Sequence, residues 1–111
     1  MIEHYAFGSI EVDGKKYNHD LIISSAGIKD WWRHTSHEVS INDLEPILAE
    51  DPKTIIFGTG ALGAMKVLSE TEDYIEKNKN EILIFKTAEA VKEFNQRDRQ
   101  PGVVGAFHLT C

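Results

Sequence analysis

The sequence predicts one α/β domain over residues 1–111 with a partly parallel sheet. Three observations carry that prediction. Helical and strand patterns alternate after residue 42, as in βαβ units. A hairpin signal precedes them, with Ile10, Val12 and Tyr17 flanking Asp13-Gly14. The chain's 111 residues, 41% of them hydrophobic, are enough for one core and too few for two ordinary domains.

The elements follow in order. Asp13-Gly14 suits the positive φ angles of a type I′ turn. Leu21-Ile22-Ile23 reads as a short buried strand, ended by Ser24, Ser25 and Gly27. From Ile28 to Val39 the pattern is mixed. Trp31 and Trp32 are adjacent, so an extended backbone sends one to the core and the other to the surface. Asn42 with Glu45 matches a capping box and places a first helix, striped by Leu44, Ile47 and Leu48. Pro46 is tolerated in its first turn, and Asp51-Pro52 ends it. Thr54-Ile55-Ile56-Phe57 is a β-branched and aromatic run, hence an interior strand. Ser69 with Glu72 is a second capping-box pattern, opening a helix that bears Tyr74 and Ile75. Ile82 to Phe85 is a further strand. Thr87 is placed to cap a third helix, with Val91 and Phe94 on one face and Lys92, Arg97 and Asp98 elsewhere. Pro101-Gly102 breaks the chain before a last strand, Val103 to Phe107.

Charge and composition exclude several functions. The formal net charge is −6, and the nearest basic pair, Arg97 and Arg99, is interleaved with Asp98. Nucleic acid and anionic membrane surfaces are therefore not expected partners. The apolar runs fall short of the roughly 20 residues of a membrane helix. Glu3 and His4 interrupt any secretory h-region, and Cys111 is the one cysteine. A cytoplasmic setting is the expectation.

Gly58-Thr59-Gly60-Ala61-Leu62-Gly63 matches G-x-G-x-x-G after a strand, the pattern that seats a pyrophosphate on a helix N-terminus. Here the next helix signal lies near Ser69. The following strand ends in Lys86, where a ribose-binding carboxylate would stand. No second mononucleotide half fits. A dinucleotide is thus disfavoured, and no cofactor is expected. Two readings remain: loop amides that hold a smaller anion, or glycines that let a buried strand turn.

His34 and His37 share a face only on a helix, and no cysteine pair completes a zinc site, so no metal is expected. His108 with Cys111 lacks the positioned base and lowered pKa of a catalytic thiol. Trp32 and Arg33, with His37 nearby, are the residue types of binding hot spots. An equal alternative is one tryptophan closing the core while Arg33 pairs with a surface carboxylate.

These segments resemble a known family. Thr87 to Asn95 and Val103 to Cys111, together with Trp32-Arg33, His37 and Ile55 to Gly60, are similar to the Mth-nine-three-eight-like family, which includes the adipogenesis-associated Mth-domain proteins. The likeness spans nearly the whole chain and suggests the family's archaeal prototype itself. It implies a three-layer α/β fold: a mixed central sheet, helices on one side and a small antiparallel β layer on the other. A distant relative is a mitochondrial complex I assembly factor, which implies a protein-binding module. The resemblance supplies no catalytic residues. The expected function is a binding or assembly domain acting through a protein partner or as a homo-oligomer. The alternative is a small-molecule or anion site, enzymatic or not, built from Gly58, Thr59 and Gly60 with Trp32, Arg33 and His37.

Overall fold

A computed structural model of the chain describes residues 1–97 and 100–111; Asp98 and Arg99, which the sequence places on and after the third helix, lie outside the described residues. The strands are β1 (Ile2–Ala6), β2 (Ser9–Val12), β3 (Lys15–Tyr17), β4 (Leu21–Ser24), β5 (Gly27–Asp30) and β6 (Glu38–Val39). A 3₁₀ turn (Ile41–Leu44) runs into α1 (Glu45–Leu48). Then come β7 (Thr54–Thr59), β8 (Lys66–Val67), α2 (Ser69–Lys77), β9 (Glu81–Phe85), α3 (Thr87–Gln96) and β10 (Val103–His108).

A five-stranded mixed sheet in the order β5-β4-β10-β7-β9 forms the centre. β7 runs parallel to both β10 and β9, while β4 is antiparallel to β10 and to β5. β1, β2 and β3 form a separate antiparallel sheet. Its turn has the expected geometry, with φ of +50° at Asp13 and +82° at Gly14.

Period-two alternation sorts the central sheet's side chains into two cores. Ile22, Ile55, Phe57 and Ala106 face the side covered by α1 and α2, against Leu44, Ile47 and Ile75. Leu21, Ile23, Ile56 and Phe107 face the other side, against Ile10 and Val12 of the small sheet. The three layers are those the resemblance implied, with one difference: α3 lies on the small sheet's side. Its Ala90 and Phe94 belong to that core, and Asn95 exchanges two hydrogen bonds with the backbone of Ile2, at 2.9 and 2.8 Å. Glycines make room for it. A Cβ at Gly58 would lie 2.9 Å from Thr87 Oγ1, and one at Gly105 would lie 2.9 Å from the Phe94 ring.

Three helix starts differ from the sequence reading. The first opens at Ser40, whose N–H and hydroxyl both donate to Asp43 Oδ2, at 2.9 and 3.0 Å. Asn42 is exposed and its pairing with Glu45 is not the cap. Leu68 precedes α2, and its carbonyl accepts from the amides of Thr71 and Glu72, so Ser69 is the first helical residue. Thr87 likewise follows the N-cap, Lys86, because its hydroxyl is committed across the fold to Gly60 and His108. β5, β6 and β8 had no sequence signal. The two-residue strands β6 and β8 pair in parallel, too short for alternation to register.

Candidate functional site

Parallel strands β7 and β10 end together, with His108 beside Thr59. Asp20 precedes β4, whose Leu21 pairs with Phe107. The turn after β5 brings Trp31 to Arg33 to the same end. The sequence-nominated residues therefore share one end of the sheet, and they divide into two groups.

The glycine loop is closed by the protein itself. Gly60 N–H donates to Thr87 Oγ1 at 2.8 Å. Ala61 N–H donates to Thr110 O at 2.7 Å; Leu62 and Ala64 N–H both donate to Cys111 O, and Gly63 N–H to Gly60 O. Thr59 is buried, with its hydroxyl on Phe85 O. Gly60 has φ +102°, and a Cβ there would stand 2.3 Å from the Cys111 carbonyl carbon. The amides an anion would need are thus occupied, and Gly58 and Gly60 serve close packing.

The second group centres on Asp20, which the sequence reading did not nominate. Its Oδ1 accepts from Leu109 N–H at 2.9 Å. Its Oδ2 accepts from Arg33 Nη2 at 2.8 Å and from His108 Nδ1 at 2.7 Å. Burial alone pushes this carboxyl's pKa up, but the hydrogen bonds from His108, Leu109 and Arg33 outweigh it, and the net shift is below the ordinary value. The ionised carboxylate is an acceptor only, so Nδ1 of His108 carries the proton. Arg33 Nη2 and His108 Nδ1, 3.1 Å apart, are then two donors sharing one acceptor.

Arg33 is buried. Nη2 also donates to Ser36 O at 2.7 Å, and the guanidinium lies 4.4 Å over the Trp31 ring. Its Nε and Nη1 are buried without a hydrogen-bond partner among the described residues. The expected surface ion pair is therefore an internal one. Trp31 is 3% exposed and Trp32 75%, the split that adjacency predicts. The His37 ring stands edge-on to His108 at 5.8 Å, on the buried network rather than beside Trp32. His34 is the histidine against Trp32, with ring centroids 5.3 Å apart.

Beside this network, and sharing Asp20 and Trp31 with it, a cleft of about 320 Å³ is lined by His19, Asp20, Asp30, Trp31 and Trp32. Trp32, Leu62 and Phe7 are large exposed apolar residues on segments whose backbone is bonded near this end of the sheet. Leu62 N–H is bonded to Cys111 O, and Gly8 N–H, next to Phe7, to Leu109 O. Trp31 N–H, next to Trp32, is bonded to Asp20 O. Asp20 was missed, and His108 was weighed only with Cys111, because neither has a local signature for the other; only the antiparallel register of β4 and β10 joins them.

The fold and this end of the sheet define a small α/β domain with a three-layer arrangement. Residues 2–108 match the family described as "Protein of unknown function (DUF498/DUF598)", and the chain belongs to that family. Among solved structures, it is similar to a conserved hypothetical protein of Pyrococcus horikoshii. Identity is 29% and TM-score 0.91, over 100% of this chain and 99% of that one. It is also similar to MT938, at 26% identity and TM-score 0.81, over 100% and 98% of the two chains. At that identity the chain is a relative of MT938 and not that protein. A Mth938-like domain from Bordetella pertussis shares the fold at 15% identity and TM-score 0.75, over 98% and 85%. Among the described residues, no helix is long and apolar enough to cross a membrane.

Proposed function

We propose that this chain is a binding domain that acts through a protein partner, docking by the end of the sheet where Trp32 is exposed. The carrying observation is the contrast between neighbours. Trp31 and Arg33 are buried in a hydrogen-bonded network, and Trp32 between them is 75% exposed. A tryptophan held by a rigid base at low conformational cost is the kind of anchor that dominates interface energies. Leu62 and Phe7 are further exposed apolar residues on segments bonded near the same end of the sheet. Action in the cytoplasm belongs to this reading, supported by the single cysteine.

The test is capture by the tagged chain, with native mass measurement for self-association, repeated for the Trp32→Ser, Leu62→Ser double variant. A partner, or a second copy, that is retained by the parent and lost by the variant is expected. Capture of nothing with no self-association, or equal retention by the variant, refutes the reading.

A further inference from the structure

Two tryptophan–aspartate pairs, Trp31 with Asp20 and Trp32 with Asp30, line one cleft together with His19. Trp31 and Asp20 already hold a cation: Arg33 stacks 4.4 Å over the indole and binds the carboxylate at 2.8 Å. Trp32 and Asp30 line the same cleft, of about 320 Å³, with exposed side chains. That is the small end of ligand sites and has room for one long side chain. None of the described residues lining it is lysine or arginine. Lys29, next to Asp30, is turned to Glu50 at 2.8 Å, and Arg33 is committed to Asp20. The Asp30 side chain is 85% exposed, and its contact is His19 Nδ1 at 3.4 Å, which is longer than a charge-assisted hydrogen bond. Residue types that bind a guanidinium in the buried network thus recur at Trp32 and Asp30, with no lysine or arginine among the described residues that line the cleft.

We propose that the cleft between Trp32 and Asp30 receives an arginine side chain of the docking partner, its guanidinium on the indole face and against the carboxylate. Guanidinium stacks on an aromatic plane while donating in that plane, so one group satisfies both residues. The chain's net charge of −6 favours approach of such a partner. This proposal rests on the docking reading above, and its test separates the two.

The probe is Nα-acetyl-arginine methylamide, titrated into the full chain while the indole N–H resonances of Trp31 and Trp32 are followed by NMR. The neutral citrulline analogue and the lysine analogue are titrated in parallel. Expected results are a saturating shift at Trp32 with arginine and a much smaller one with citrulline. Asp30→Asn should weaken arginine binding about fivefold, and Trp32→Ala, followed at the Asp30 amide, about tenfold. Asp30 and Trp32 are exposed, so both variants keep the parent's urea midpoint. No shift at tens of millimolar arginine, an equal response to citrulline, or a response to lysine alone overturns the proposal. Partner capture through Trp32 with no preference for arginine leaves the docking reading standing and removes the arginine receptor. Arginine binding by a chain that captures nothing does the reverse.

Discussion

Replacing Asp20 by asparagine is the sharpest perturbation of the buried network. The carboxylate accepts from three donors, two of them on cationic or protonatable side chains. An asparagine whose oxygen keeps Leu109 turns its NH₂ toward Arg33 and His108, setting donor against donor. Arg33, with a side chain 3% exposed, is then left without its counter-ion. Breaking one side of a buried pair costs about 3–5 kcal/mol, a large share of the roughly 5–15 kcal/mol available to a domain. Urea unfolding at neutral pH measures it. Adding Arg33→Met to Asp20→Asn removes the stranded charge, so the double variant is expected to be more stable than Asp20→Asn alone. The pH dependence has a definite sign. The Asp20 carboxyl titrates lower in the native chain than its ordinary 3.8. Between those two values the unfolded chain holds more protons, so stability rises with pH there. This contribution is complete above the ordinary value and is lost as pH falls through the native one. Glu50 is also held low, by hydrogen bonds from Lys29 and Ser24, so the difference between parent and Asp20→Asn isolates the Asp20 part. A loss under about 1 kcal/mol at neutral pH, or identical acid limbs, would refute the network as described.

Two further predictions address packing. Gly60→Ala places a Cβ 2.3 Å from backbone at φ +102°, whereas Gly63→Ala meets the flexible Lys86 side chain at 3.4 Å with φ +71°. Thermal unfolding should show Gly63→Ala losing about 1 kcal/mol and Gly60→Ala at least twice that; equal losses would contradict the closed loop. Trp31→Ala should cost about 3–5 kcal/mol and Trp32→Ala under about 0.5 kcal/mol in urea titration. A destabilised Trp32→Ala would mean that its exposure is misassigned.

Architecture was legible where a local rule coincided with tertiary demand. Asp13-Gly14 needed positive φ and obtained it; Ile55 to Phe57 is apolar because the strand has neighbours on both edges and cores on both faces. Helix starts were less legible. Ser69 and Thr87 are good capping residues, yet tertiary bonds claimed the Thr87 hydroxyl, and Ser40 with Asp43 displaced Asn42 by two positions. The side of the sheet taken by α3 depends on Gly58 and Gly105, whose missing side chains mark a trough only when the strands are already aligned. For the candidate site, the sequence nominated Trp32 and Arg33 by type and the glycine loop by motif. It had no means of seeing that Thr110 and Cys111 carbonyls occupy that loop, or that Asp20 is Arg33's counter-ion. Those contacts join residues far apart in the chain.

The position of β10 has a kinetic consequence. It is the strand between β4 and β7, so no ladder joins those two until residues 103–108 are in place. Without β10, the native ladders that remain are the β4–β5 hairpin and the β7–β9 pair, each with an apolar strand that has an unpaired edge. Closure over so long a separation makes folding slow relative to a helical bundle of this size. A chain with the β4 and β7 edges open would be the form most exposed to pairing with a neighbour.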